Sequence, residues 1–264
     1  MTRQPLRLLA GFILLVLSVS ASHAHSRGPI SPEAGFLARS YHSPTGETML
    51  YRLYVPPSYV ASRKYPLVLW LHGAAGRGSD NLLQISAGNF LGTHVWTTAE
   101  NQAKFPAFVL APQVSDTKMW ARPHANTPSV SIRLALEILD GVEKEYAIDL
   151  DRVYVAGQSM GGEGVWAVLA ARPGEFAAAV ALCSDGFDDM TAPGAKVPVW
   201  IFQGTADEIV SIERARDWVA ALRKAGGTPK YTEYPGVGHN VWEKAFAEPD
   251  LVPWLAAQHR AYTK

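Results

Sequence analysis

Five stretches of the chain are apolar at nearly every position: Leu67 to Leu71, Phe108 to Ala111, Val153 to Ala156, Ala178 to Leu182 and Val199 to Phe202. Short continuous runs of this kind predict strands buried on both faces, as in a parallel sheet. Thr48 to Val55 instead alternates apolar and polar positions and stops at Pro56-Pro57, which predicts an edge-type strand. A last, more polar strand is expected at Lys230 to Tyr234.

The intervals carry a helical period. Ser129 to Tyr146 places Ile132, Leu136, Leu139 and Val142 on one face. Met160 to Ala171 is rich in Ala, Val and Leu, and Pro173 follows its end. Ser211 to Lys224 aligns Ile212, Ala215, Val219 and Leu222. Strand and helix alternate with no linker between halves. The expected fold is therefore a single α/β domain, a mainly parallel sheet with helices on both faces.

The first residues follow a different pattern. Arg3 and Arg7 precede an apolar run from Leu8 to Val19, and Ser22-His23-Ala24 supplies small residues at the −3 and −1 positions of a cleavage site. The run falls short of the roughly 20 residues a bilayer-spanning helix needs. Residues 1–24 read as a signal peptide, 25–40 as a loose Pro- and Gly-spotted segment, and 41–264 as the α/β domain. The protein is expected to be exported, periplasmic or secreted, with no stable membrane insertion after cleavage.

Lys and Arg total 24, matching 24 Asp and Glu, and no basic run suggests nucleic acid as a partner. Cys183 is the only cysteine, so no internal disulfide can form, and its place after an apolar run predicts a buried structural thiol.

Gly157-Gln158-Ser159-Met160-Gly161 is a G-x-S-x-G pattern. Alone it is weak. Here it follows a predicted strand directly and opens a predicted helix directly, the setting of a nucleophile elbow. The tight turn presents the serine hydroxyl and aims a helix N-terminus at the reaction. Ser159 is the expected nucleophile. His72-Gly73-Ala74 follows an earlier strand, so the N–H groups of Ala74 and Met160 are the expected oxyanion donors. His72 reads as a loop-orienting hydrogen bonder.

A serine nucleophile needs a base, and in this architecture the acid and then the histidine follow the serine. His239 lies in the glycine-flanked loop Gly236 to Asn240, whereas His259 lies near the chain end and reads as surface. Asp207 follows the Val199 to Phe202 strand and is the expected acid. Glu208 and Asp185 are its rivals.

His42, His94 and His124 lack paired ligand spacing, and no G-x-G-x-x-G or Walker loop is present. Neither a metal nor a cofactor is expected. Trp96, Met119 and Trp120 fall in the long connections 89–102 and 114–128, where they would form an aromatic and apolar wall for substrate. The competing reading packs the tryptophans onto the core. Trp166, Trp200 and Trp218 lie in regular elements and are expected in the core.

Several segments recur together in order. They are Tyr51-Arg52-Leu53-Tyr54-Val55-Pro56, Lys64 to Leu69, Leu71-His72-Gly73 with Arg77 to Asn81, Asp151-Arg152-Val153-Tyr154, Gly157 to Gly162, Gly204 to Asp207 and Gly238-His239-Asn240. From about residue 40 onward the chain resembles exported α/β-hydrolases grouped with the prolyl-oligopeptidase-like "predicted peptidases". These are close to the feruloyl-esterase, dienelactone-hydrolase and polyhydroxybutyrate-depolymerase types. The resemblance implies Ser159, Asp207 and His239 as a triad, with Ala74 and Met160 at the oxyanion hole. It implies a serine esterase acting on a small-molecule or polymer-attached ester. One departure stands out: many relatives read H-G-A-G-E-R-G, where this chain reads His72-Gly73-Ala74-Ala75-Gly76-Arg77-Gly78. A short-peptide peptidase and a non-catalytic binding protein on the same scaffold are the alternatives.

Overall fold

The computed structural model of the protein describes residue 1 and residues 33–121 and 127–260. The signal-peptide segment and His124 lie outside the described residues. Within them, no helix is long and apolar enough to cross a membrane.

Eight strands form one sheet: β1 (Phe36–His42), β2 (Thr48–Tyr54), β3 (Tyr65–Leu71), β4 (Phe108–Gln113), β5 (Ile148–Gln158), β6 (Ala178–Leu182), β7 (Val199–Gly204) and β8 (Lys230–Tyr234). Their order is β1-β2-β4-β3-β5-β6-β7-β8. β1 pairs antiparallel with β2, β2 pairs antiparallel with β4, and every other neighbouring pair is parallel. The helices are α1 (Phe90–Thr97), α2 (Ala99–Lys104), α3 (Val130–Glu145), α4 (Met160–Ala171), α5 (Thr191–Gly194), α6 (Ile212–Lys224), α7 (Trp242–Ala245) and α8 (Leu251–Ala256).

Alternation along the buried strands divides the core. Leu67, Leu69, Leu71, Val153, Val155, Ala179, Ala181, Val199 and Ile201 face one layer, packed with residues of α3, α4 and α6. Val68, Trp70, Tyr154, Ala156, Val180, Leu182, Trp200 and Phe202 face the other, with Trp96 of α1, Phe246, and Leu251 and Leu255 of α8. Strands covered on both sides must be apolar at successive positions, so their continuous runs were readable as strands.

Three expectations need correction. The segment 25–40 is not loose to its end, because Phe36 to His42 forms β1, paired over its whole length with β2. In consequence β2 is not at the edge: β1 takes that position. The connection 89–102 folds into α1 and α2, with the Thr98 hydroxyl accepting from the Asn101 N–H as an N-cap. Trp166, Trp200 and Trp218 are buried in the core.

Away from the sheet's carboxyl ends, Glu143 of α3 is half-buried near Glu175, Asp140, Arg172 and Arg260. Burial, helped by Glu175 and Asp140, pushes its carboxyl up to about 7. A carboxyl raised in the folded state binds its proton more firmly there than in the unfolded chain. Folding is therefore favoured most below the ordinary carboxyl range, and that advantage is lost as pH climbs toward 7. Glu143→Gln should equal wild type in Tm near pH 4.5 and exceed it progressively up to pH 8. Thermal melts across that range check it, and a constant difference would contradict it.

Candidate active site

Ser159 stands between the end of β5 and the start of α4. Its backbone is at φ 53 and ψ −122, a strained conformation for a residue with a Cβ. Close packing enforces it. A Cβ at Gly157 would strike the Gly161 carbonyl, and one at Gly161 would strike the carbonyls of Leu71 and His72. The Ser159 N–H donates to the Leu182 carbonyl at 2.9 Å, tying the turn to β6.

His239 lies in the loop after β8, and Asp207 in the loop after β7. His239 Nε2 is 2.8 Å from Ser159 Oγ, and Nδ1 is 2.8 Å from Asp207 Oδ2. The carboxylate can only accept, so Nδ1 carries the proton and Nε2 accepts from the serine hydroxyl. The Asp207 side chain is wholly buried. Its Oδ1 accepts from the N–H groups of Ile209 at 2.8 Å and Val210 at 3.0 Å. On Oδ2 it also accepts from Gln203 Nε2 at 3.1 Å. Its rivals lie elsewhere: Asp185 is held by Arg214 at 2.9 and 3.1 Å, and Glu208 is exposed. His259 is exposed, as expected.

Ala74 and Met160 each begin a helical turn, a one-turn 3-10 helix at Ala74–Gly76 and α4 respectively. N–H groups at that position have no acceptor within their own helix. The loop before Ala74 is fixed by buried polar groups. Gly73 N–H donates to Asn89 Oδ1 at 2.9 Å, and Gln158 Nε2 donates to the Gly88 carbonyl at 2.8 Å. His72 is fully buried. Its Nε2 accepts from the Val114 N–H at 3.0 Å, so Nδ1 is the protonated nitrogen and donates to the Gly73 carbonyl at 2.7 Å. Burial pushes this imidazole down to about 4, which keeps it neutral.

The expected substrate wall is not assembled. Trp96 and Trp120 are both 0% exposed. Trp96 packs in the core layer of α1, and Trp120 donates from Nε1 to the His72 carbonyl at 3.0 Å. Both rings are buried because tertiary packing claims large apolar surfaces even in loops, and Trp120 thereby braces His72. Met119 reaches the surface and contacts an Arg77 guanidinium nitrogen through its sulfur. Trp242, half-buried, stands edge-on to the His239 ring at 5.8 Å between centroids. It was missed because it follows the histidine inside a short helical turn with no motif of its own. Asn89, Gln158 and Gln203 were missed for a related reason: a buried amide leaves no periodic trace.

Among the described residues, two groups gather three potential ligand atoms within 4.8 Å of one another. One is Cys183, Asp207 and His239, and the other is Asp140, Glu143 and Glu175. The Cys183 thiol is fully buried, and burial pushes it far up, so it stays protonated. Arg172 pairs with both Asp140 and Glu175 in the second group.

Comparison with known proteins agrees with this architecture. A family model described as "Putative esterase" matches residues 43–257. The chain is 27% identical over 241 residues to a probable feruloyl esterase C of Aspergillus niger, covering 88% of this chain and 81% of that one. It is 28% identical over 195 residues to a probable inactive carboxylesterase of Oryza sativa subsp. japonica, covering 66% and 78%. A solved thermostable esterase superposes with a TM-score of 0.81 at 34% identity, over 86% of this chain and 64% of that one. A ferulic acid esterase structure, at TM-score 0.63 and 19% identity over 84% and 97% of the two chains, shares the fold. With its mostly parallel sheet, the chain thus belongs to the putative esterase family, as a carboxylic ester hydrolase of the α/β-hydrolase fold.

Proposed function

We propose that this protein cleaves its ester through an acyl-enzyme intermediate, with Ser159 as nucleophile, His239 as general base and acid, and Asp207 as the group that orients the imidazole. The observation that carries the reading is the unbroken chain of contacts from Ser159 Oγ through His239 to Asp207, 2.8 Å at each step. His239 Nε2 takes the hydroxyl proton as Oγ attacks the ester carbonyl. Asp207 stabilises the imidazolium that forms. The N–H groups of Ala74 and Met160 receive the developing oxyanion. His239 then protonates the departing alcohol. Water, activated by the same nitrogen, releases the acid.

The substrate we propose is an aryl or hydroxycinnamoyl-type ester, free or attached to a polymer, met outside the cytoplasm after export. Its support is the likeness to a probable feruloyl esterase C and the half-buried Trp242, whose ring stands edge-on to that of His239. One relative carries the name of an inactive carboxylesterase, so family membership alone does not secure turnover. A fluorophosphonate probe separates the cases. It should label Ser159 stoichiometrically, and hydroxycinnamate esters should be cleaved at least about a hundredfold faster than aminoacyl anilides, a gap of nearly 3 kcal/mol in barrier. An unlabelled serine would mean a binding protein, and the reverse preference would mean a peptidase.

A further inference from the structure

Gln203 is the next-to-last residue of β7 and is 0% exposed. Strand alternation puts it on the same face as Ile201, where the surrounding layer is aliphatic and aromatic. An amide buried there loses its hydration and must recover it through partners. Its Nε2 has three acceptors: the Val210 carbonyl at 2.9 Å, Asp207 Oδ2 at 3.1 Å and the Gly204 carbonyl at 3.3 Å. Its Oε1 is buried with no hydrogen-bond partner.

The asymmetry is informative. Three acceptors on one side fix the amide's orientation, because a flip would set its oxygen against two carbonyls and a carboxylate. The unpartnered oxygen costs stability. A side chain there for packing alone would be better as an aliphatic of the same shape. What the amide supplies, and an aliphatic cannot, is an N–H aimed at Asp207 Oδ2. That oxygen also accepts from His239 Nδ1.

Resting on the proposed roles of Asp207 and His239, we infer that Gln203 is a positioning residue that acts through Asp207 and tunes the basicity of His239. With Ile209 and Val210 on Oδ1 and Gln203 and His239 on Oδ2, the carboxylate has four donors and cannot rotate. The Gln203 N–H draws negative charge from the oxygen that holds the imidazolium. Without it, Oδ2 would bind imidazolium more strongly, and the base would be lost to protonation at a higher pH.

The test is the pH profile of kcat/KM for Gln203→Met and Gln203→Asn. Methionine approximates the shape without a donor, and asparagine keeps the amide but falls one methylene short. Both should raise the acid limb by roughly half a pH unit or more, with kcat down about tenfold and KM within about twofold. In an Asp207→Asn background the same changes should alter kcat by less than about twofold, since coupled residues do not add. An unmoved acid limb in either folded variant, or a full effect in the Asp207→Asn background, overturns the inference. Asp207→Asn alone separates this from the larger reading: if it is silent, the roles of Asp207 and His239 fall with it. If it is severe while the Gln203 variants keep the wild-type limb, only Gln203 is wrongly assigned.

Discussion

Ser159→Ala is expected to abolish ester hydrolysis, by roughly 10⁶-fold in kcat where a serine nucleophile of this kind has been removed, while leaving Tm within a few degrees of wild type. The hydroxyl makes its contact with His239 Nε2, so deleting it removes the proposed attacking atom and one hydrogen bond. The backbone that holds the elbow does not depend on the hydroxyl. Ser159 N–H stays on the Leu182 carbonyl, and the glycines at 157 and 161 stay packed against neighbouring backbone. The φ of 53 is equally strained for alanine, so little stability changes hands. Steady-state assays and a thermal melt on the same preparation decide it. A residual rate within tenfold of wild type would remove Ser159 from the mechanism.

Asp207→Asn is expected to lower kcat by about 10³–10⁴-fold with the fold intact. The carboxylate accepts from His239 Nδ1 and thereby leaves Nε2 as the basic nitrogen. An amide can present its NH₂ to Nδ1, which favours the opposite tautomer and turns Nε2 into a donor facing the serine. It also supplies no charge for the imidazolium. Asp185→Asn is the control, because that carboxylate is held by Arg214. The same assay on both variants checks the pair. Should Asp185→Asn be crippled and Asp207→Asn spared, the acid has been misassigned.

Most of the sheet was legible because burial on both faces forces apolar runs, as in Leu67 to Leu71 and Val199 to Phe202. β1 was illegible for the opposite reason. It lies at the sheet edge with Leu37, Ala38, Arg39 and Ser40 largely exposed or half-buried, so its pattern resembles a coil. The candidate residues at 159, 207 and 239 could be proposed from local grammar, each in the turn or loop that follows a strand. Their supports were not. Asn89 reaches Gly73 across 16 positions, and Gln158 reaches Gly88 across 70. Such links exist only once the chain has folded. Trp96 and Trp120 were misjudged because residue type and loop position say nothing about which way a ring turns.

The segment from His72 to Gly78 is bolted on several sides at once: by Asn89, by the buried neutral His72 and by the Trp120 indole. None of these fasteners changes charge near neutral pH, and none waits for a ligand to arrive. A cradle set this firmly before substrate appears needs no activation. The first turnover after mixing should be no slower than those that follow, with no lag while a loop finds its place.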